Sequence, residues 1–194
     1  MTGAPAYAVT DICLRRIRPA DAMGLVEFHG RLSPRTRYLR FFFAKQQVSP
    51  DEARWFADVD FEHRVAFVAT TEESTVERII AVARFDRIDS DRAEFALVVR
   101  DDHQRLGIGT ALFSCLVIAA RCRGIDQLIG LVIPDNTAML QFAAHVGALR
   151  GHDPRYGPIV IASTEKKGGY GRPWQEPRPE SRKVLPAWGM NSHS

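Results

Sequence analysis

A short polar loop with two closely spaced glycines is the segment of this sequence best suited to chemistry. It reads Gln104-Arg105-Leu106-Gly107-Ile108-Gly109-Thr110, between an apolar run that ends at Val99 and a segment with helical spacing of apolar residues. The first N–H groups of a helix have no partner within the helix, and the helix dipole is positive there. Without bulky side chains, such a loop can bring main-chain amides onto phosphate oxygens. The segment therefore predicts a pyrophosphate-binding loop at a helix start.

Two better-known phosphate motifs do not fit this loop. The P-loop requires Gly-Lys-Ser/Thr, and no lysine follows either glycine. The dinucleotide fingerprint requires a third glycine where this chain has Leu112, and it belongs at the first strand of a parallel sheet. The remaining pattern is Q/R-x-x-G-x-G/A after a strand.

One carboxylate stands out in the strand-like run before the loop. Alternation with a period of two places Glu94, Ala96 and Val98 on one side of the strand and Phe95, Leu97 and Val99 on the other. A glutamate in so apolar a strand is unusual. Glu94 is therefore either a general base or an exposed residue at the rim of the sheet.

The elements that must position these residues follow from the hydrophobic patterns. They are predicted in the order strand, helices, three strands, helix, strand, helix and strand. The predicted strands are Ile12–Arg18, Val65–Thr70, Ile79–Phe85, Ala93–Val99, Leu128–Ile133 and Val160–Ile161. The predicted helices are Asp21–Gly30, one capped by Ser49, one from Ile108 to Gly124 and one capped by Asn136. This order indicates an α/β sandwich around a mixed sheet.

The 194 residues allow one domain, which we assign to residues 12–164. Residues 1–11 are predicted to be a flexible N-terminus. Residues 165–194 are rich in proline, glycine and charge and are predicted to be a flexible or loosely docked tail, with Trp174 and Trp188 as possible anchors.

Bulk composition excludes several classes of protein. The net charge of +3 is too small to indicate a nucleic-acid partner, and no run of about 18 apolar residues predicts a membrane span. The three cysteines show no CxxC spacing and the histidines show no metal-ligand spacing, so no metal site is expected. The cysteine pattern fits a reducing, cytoplasmic location.

The loop, the element order and Asn136 together resemble the GNAT superfamily of N-acetyltransferases over roughly Leu14–Ile161. The resemblance implies an α/β GNAT fold: a mixed, mostly antiparallel sheet of six to seven strands, flanked by helices and splayed between the fourth and fifth strands. It also implies acetyl-CoA as co-substrate and no metal.

The resemblance assigns cofactor-binding roles to residues of the fourth strand, the loop and the last helix. Main-chain amides of the loop would hold the pyrophosphate, and the pantetheine would pair with the fourth strand like an added strand. Asn136 would contact the cofactor, cap its helix, or do both. The assigned residues are Leu97, Val98, Val99, Gln104, Arg105, Leu106, Gly107, Ile108, Gly109, Thr110 and Asn136.

The resemblance also implies a mechanism of direct attack, with Glu94 as general base. A backbone N–H of the fourth strand, that of Val98 or Val99, would stabilise the oxyanion. Many relatives keep a tyrosine as general acid in the helix after Asn136, but the matching region here carries Phe142. Either another group protonates the thiolate or the thiolate leaves charged, since a thiol is a fair leaving group.

The stretch from Leu32 to Phe42 resembles bacterial protein lysine acetyltransferases that regulate acyl-CoA synthetases. That resemblance implies a protein partner, an acyl-CoA synthetase, with no nucleic acid and no membrane, and a monomer or weak homodimer. Tyr38, Arg40 and Phe41 become candidates for substrate contact or for shaping the acceptor groove. The phenylalanines fit equally well as core residues.

Two other functions remain open from the sequence. One is a GNAT enzyme for small amines, which would show a closed acidic pocket. The other is a module that senses acyl-CoA without turnover, suggested by Phe142. The chain has no room for the second domain that relatives often carry, so it is expected to be a single-domain member or a fragment.

Overall fold

The computed structural model describes residues 12–41, 47–153 and 157–164. Within them, seven strands form one mixed sheet in the order β1-β2-β3-β4-β5-β7-β6. The predicted flexible segments, 1–11 and 165–194, lie outside the described residues. The strands are β1 Cys13–Arg16, β2 Arg64–Glu73, β3 Val76–Arg87, β4 Arg92–Val99, β5 Gln127–Leu131, β6 Leu149–Asp153 and β7 Gly157–Ser163.

Every strand pair is antiparallel except β4–β5, which is parallel. Strands β2, β3 and β4 form the three-stranded meander that the sequence predicts, and β1 pairs with its edge at β2. The mixed, mostly antiparallel sheet of the predicted fold class is therefore confirmed.

Five helices flank this sheet in the described part of the chain. Both predicted caps form: the Ser49 hydroxyl accepts from the N–H of Glu52, and the Asn136 side chain accepts from the N–H of Met139. Gly124, at φ 67°, closes the turn after α4 as expected. The helices are α1 Ala22–Gly30, α2 Pro34–Phe41, α3 Pro50–Ala57, α4 Ile108–Arg121 and α5 Thr137–His145.

The helices cover opposite faces of the sheet and create two cores. Leu112 and Leu116 of α4 pack with Phe95 on one face. On the other face, α1, α2 and α3 bury residues such as Phe28 and Phe56 together with Ala96 and Val98 of β4. Strand β4 therefore contributes alternate residues to both cores, as its period of two predicts.

The pairing between β4 and β5 ends early, and this divergence creates the functional site. The two strands pair only from Arg92 with Gln127 to Glu94 with Ile129, although β4 continues to Val99. The predicted splay between the fourth and fifth strands is thus confirmed, and Glu94 lies at its vertex.

Two elements were missed by the sequence analysis. Helix α2 has few apolar residues, so the spacing of apolar residues does not predict a helix there. Strand β6 is short and mostly polar, and it forms because its backbone pairs with β7. Among the described residues, no helix has the length and apolar character needed to cross a membrane.

Gly130 of β5 provides a test of packing beside the vertex. A Cβ at this position would lie 2.7 Å from Cε1 of Phe95, a ring that is buried and packs at a tilt against Phe113. Because that ring cannot move freely, Gly130→Ala should lower the free energy of unfolding by about 1–3 kcal/mol, measured by urea denaturation. Gly30→Ala is the matched control, since no atom lies within 4 Å of its Cβ position. Equal stability of the two variants would contradict this packing.

Candidate active site

A cleft of about 540 Å³ opens where β4 and β5 diverge. Its walls come from the end of β4, the glycine loop, the first turns of α5 and one face of α2. The volume suits a small-molecule ligand. Ten of the predicted site residues line the cleft: Arg40, Leu97, Val98, Val99, Gln104, Arg105, Gly107, Gly109, Thr110 and Asn136. The other five predicted residues, all described, do not line it: Tyr38, Phe41, Glu94, Leu106 and Ile108.

The main chain of β4 presents hydrogen-bonding groups to this cleft. The N–H of Arg100 donates to Ile80 of β3, and the β3–β4 register then directs Val98 toward β3 as well. Leu97 and Val99 alternate with them, so their N–H and C=O groups face the gap. Of the two N–H groups that the sequence left open as the oxyanion donor, that of Val99 is the one directed toward the gap.

The glycine loop has the backbone shape expected of an anion site. Gly107, at φ 79°, is the N-cap of α4 and is exposed, and Arg105 is also left-handed at φ 64°. The first amides of α4 follow directly, and the first helical bond returns from Ala111 to Gly107. Gly109 lets the helix start approach β4, because a Cβ there would lie 3.4 Å from Cδ2 of Leu97.

The side chain of Gln104 has a structural contact in addition to its predicted role. Its Nε2 donates to the carbonyl oxygen of Val99 at 3.1 Å, which ties the loop to the end of β4. Leu106 is 62% exposed and points away from the cleft, and Ile108 is buried in the core. These last two can contribute to an anion site only through their backbones.

Asp101 connects this loop to α2. Its carboxylate accepts from the Ser33 N–H at 2.9 Å, the Ser33 hydroxyl at 2.8 Å and the Thr36 hydroxyl at 2.7 Å. Burial raises the pKa of Asp101, but the hydrogen bonds from Ser33 and Thr36 outweigh it and lower the pKa below its ordinary value. The contact holds α2 against the turn that leads into the glycine loop.

Arg100 forms an ion-pair network on the adjoining side of the same turn. It bonds Asp102 at 2.7 Å and Glu73 at 2.6 Å, and His103 bonds Asp102 at 2.7 Å. Burial raises the pKa of Asp102, yet the bonds from Arg100 and His103 bring it down to about 2. The turn at residues 100–103 is therefore held by ion pairs of Arg100 on one side and by the hydroxyl groups that bind Asp101 on the other.

Asn136 and Phe142 form the α5 wall of the cleft. The Asn136 side chain caps α5, accepting from Met139 N–H at 3.0 Å, and its position in the cleft leaves a ligand contact compatible with capping. Phe142 packs edge-on against Phe113, with ring centroids 5.5 Å apart. Phe142 therefore shapes the wall of the cleft, and its side chain has no acidic proton to donate.

Glu94 lies on the other face of β4 and is only 7% exposed. It is directly opposite Asp86 of β3 and has an electrostatic interaction with Arg40 of α2. Burial of a carboxylate is costly unless charged or polar neighbours compensate. The exposed-rim alternative for Glu94 is therefore wrong, whereas its role as a base stays a prediction.

The three candidate substrate residues on α2 have different environments. Arg40 is 8% exposed and reaches both the cleft and a small cavity beside Arg84. Tyr38 is 47% exposed and lies outside the cleft lining. Phe41 is 2% exposed within the core, so it can shape a groove only by packing beneath it.

Comparison with known proteins agrees with this geometry. Residues 33–148, more than half of the chain, match the acetyltransferase (GNAT) family. The chain belongs to the GNAT family.

Relatives of known sequence or structure extend the match. A protein named an acetyltransferase from Pseudomonas aeruginosa is 29% identical over 151 residues, covering 77% of this chain and 81% of the relative. The acetyltransferase Pat of Mycolicibacterium smegmatis is 31% identical over 140 residues, covering 70% of this chain but only 40% of Pat. The crystal structure of the GNAT domain of S. lividans PAT superposes with a TM-score of 0.71 at 29% identity, covering 77% of this chain and 89% of that one.

The chain is thus a GNAT acetyltransferase, and its site fits the acetyl-CoA that this family uses. The exposed glycine loop lies at the start of α4, beside Leu97 and Val99 of β4, which do not pair with β5. The lining has three arginines and two histidines against two aspartates, which suits an anionic ligand. Among the described residues, no group of three or more histidine, cysteine or acidic side chains could hold a metal ion.

Sequence reasoning missed Asp101, Ser33 and Thr36 as a connected unit. Ser33 and Thr36 lie in the Leu32–Phe42 stretch that carries the resemblance, whereas Asp101 is 65 or more positions away along the chain. A capping serine followed by a threonine three residues later was the available local signal. It could not show that one distant carboxylate accepts from both hydroxyls.

Asp101→Asn tests this connection through pH. The lowered folded-state pKa means that the carboxylate stabilises the fold above the unfolded pKa of about 3.9 and loses that effect as pH falls through the folded value. The variant should be less stable than wild type by about 1 kcal/mol at pH 7, by urea denaturation, with the difference shrinking toward pH 3. A difference of the same size at both pH values would speak against an ionised acceptor.

Gly107→Ala tests the anion cradle. A methyl group at this left-handed, exposed position should obstruct close approach of a phosphate and misalign the following amides. Loss of one charge-assisted hydrogen bond predicts CoA affinity weaker by about tenfold or more, measured by calorimetry. Gly124→Ala is the matched control. Gly124 also has a positive φ and no atom within 4 Å of its Cβ position, but it lies at the far end of α4. Equal loss in both variants would show that backbone strain, and not the cradle, is responsible.

Proposed function

We propose that this chain transfers the acetyl group of acetyl-CoA to the ε-amine of a protein lysine, with Glu94 as the general base. The observation that carries the proposal is a buried carboxylate at the vertex of the gap between β4 and β5. The cofactor cleft is lined by the continuation of the same strand, from Leu97 to Val99. A base at this point lies on the strand that the pantetheine would follow.

The chemistry requires a base because lysine is protonated at neutral pH. Removing its proton at pH 7 costs about 4–5 kcal/mol. Glu94 accepts that proton in our proposal, directly or through a water molecule. Acetyl-CoA, when bound, supplies the thioester carbon that the neutral amine attacks and the thiolate that departs.

Other residues of the cleft hold the reactants in place. The N–H of Val99 faces the gap and is our candidate donor to charge that develops on the acetyl oxygen. The amides of Gly107 to Thr110 would hold the pyrophosphate. Phe142 in the α5 wall cannot protonate the departing thiolate. The thiolate therefore leaves charged or takes its proton from solvent or another group, which a thiol with a pKa of about 8.5 permits.

The proposed acceptor is an acyl-CoA synthetase, on the basis of the Leu32–Phe42 stretch. In the structure, Pro34–Phe41 of that stretch forms α2, and Ser33 and Thr36 bind Asp101 beside the glycine loop. Tyr38 is exposed on the same helix, where a folded partner can reach it. The monomeric or weakly dimeric state and the cytoplasmic location stay predictions.

A small-amine acetyltransferase is the second candidate, and the charge of the cleft disfavours it. A cationic amine would meet Arg35, Arg40 and Arg105, while one of the two lining aspartates, Asp101, is held by Ser33 and Thr36. A non-catalytic acyl-CoA sensor is the third candidate. It would bind CoA and leave every amine unmodified.

Glu94→Gln separates catalysis from binding. The amide keeps the shape of the side chain but cannot take a proton, so acetyl transfer should fall about 10²-fold or more while CoA affinity is unchanged. Mass spectrometry of a bacterial lysate incubated with labelled acetyl-CoA would identify the modified lysines, with a purified acyl-CoA synthetase and an amine panel assayed in parallel.

Glu77→Gln is the matched control, because Glu77 lies at the distant end of β3 and its side chain is 53% exposed. This variant should acetylate the same lysines at the wild-type rate. Labelling of small amines alone would favour the second candidate. Unchanged activity in Glu94→Gln would remove the base from the mechanism.

A further inference from the structure

A cluster of buried charges surrounds Glu94 on the face of the sheet opposite the glycine loop. Asp86 of β3 is the direct cross-strand partner of Glu94, and Arg84 pairs with Ala96 one step along the same face. Directly opposite side chains in an antiparallel pair have Cβ atoms about 4.5–5.5 Å apart, and diagonal ones about 7–8 Å. Two carboxylates and one guanidinium therefore share a small area of the sheet.

Arginines from three elements hold this pair of acids. Arg84 Nη2 lies 3.3 Å from Oδ1 of Asp86, and Arg64 Nε of β2 lies 3.9 Å from the same oxygen. Arg40 of α2 interacts electrostatically with Glu94, Asp86 and Arg84. Burial, followed by repulsion from Arg84, lowers the pKa of Arg40 well below its ordinary value, and the two acids oppose that shift.

Two further acids next to the cluster, Asp58 and Asp60, interact electrostatically with Arg64. Helix α1 contributes His29, which lines the small cavity shared by Arg40 and Arg84. Helix α3 contributes the rings of Trp55 and Phe56, which stack on Arg84 at 5.3 and 4.9 Å. On β5 the partner of Glu94 is Ile129. Asp86 is therefore the acid that faces Glu94 among the described neighbours.

Like charges at cross-strand positions destabilise a sheet unless something compensates. Arg84 compensates only in part, since its Nε is buried without a hydrogen-bond partner among the described residues. Such an unsatisfied group is costly and rare in native proteins. The arrangement therefore costs stability, and local violations of this kind are typical of functional sites.

We propose that Asp86 is a positioning residue that counterbalances the arginines around Glu94 and keeps Glu94 basic enough to take a proton from an amine. The inference rests on the proposed role of Glu94. With Asp86 removed, Arg84 and Arg64 would lose the acid that they pair with, and the attraction of Arg40 for Glu94 would no longer be shared with Asp86. Positive charge within about 4–6 Å favours the carboxylate form and so weakens it as a base.

The test follows the Glu94 carboxyl directly by NMR, with ¹³C-labelled glutamate and the Glu94→Gln variant for assignment. Asp86→Asn should lower the titration midpoint of Glu94 by about one to three pH units. Glu77→Gln removes the same charge from the far end of β3 and should leave the midpoint unchanged. Asp86→Glu restores the charge and should recover most of the wild-type midpoint.

Asp86→Ser removes the same charge with a smaller side chain and serves if Asp86→Asn does not fold, as checked by circular dichroism. A Glu94 midpoint that is the same in wild type and in the folded Asp86 variant overturns the inference. This readout needs no acceptor, so it is independent of the proposed function. If transfer is absent in wild type while the midpoint shift is present, the proposed function fails and the coupling of Asp86 to Glu94 stands.

Where transfer is observed, Asp86→Asn should lower kcat and move the acid limb of its pH profile in the same direction as the NMR midpoint. A purely structural role of Asp86 would change the unfolding free energy and leave both readouts where they are in wild type. That outcome would also overturn the inference.

Discussion

The early end of the pairing between β4 and β5 is the constraint on which the rest of this structure depends. Beyond Glu94 and Ile129 the two strands diverge, so Leu97 and Val99 turn their main-chain groups toward a gap. Backbone groups left in a gap need a partner, which a ligand with amide groups can supply. Helix α4 begins at the same gap, and its positive end adds an anion site. The divergence of β4 and β5 and the start of α4 thus form one cleft.

Strand β4 serves both faces of the site because its side chains alternate. One face carries Leu97 and Val99 against the start of α4, where Gly109 allows close approach. The other face carries Glu94, which lies among charges contributed by α2 and β3. In our proposal the cofactor and the acceptor amine approach this strand from different sides. Helix α2 borders both regions, and Asp101 holds it there through Ser33 and Thr36.

Membership in the GNAT family fixes the reaction type more firmly than the acceptor. The cleft, the glycine loop and the splayed strands are features of the cofactor half, and they agree with the family match over residues 33–148. In our proposal the acceptor half consists of α2, α3 and the charged cluster, and few of its contacts are local in sequence. Pat of M. smegmatis is matched over only 40% of its length, so its full activity is not carried over by the match.

The sequence alone determined the features that depend on neighbouring residues. The glycine loop, the caps at Ser49 and Asn136, and the two-sided pattern of β4 all follow from local geometry, and the structure has them. Only the tertiary structure decided which distant groups meet. Helix α2 and strand β6 form through packing and pairing that their own sequences do not signal. The choice between Val98 and Val99, and the opposition of Asp86 to Glu94, depend on strand register, which is set by the whole sheet.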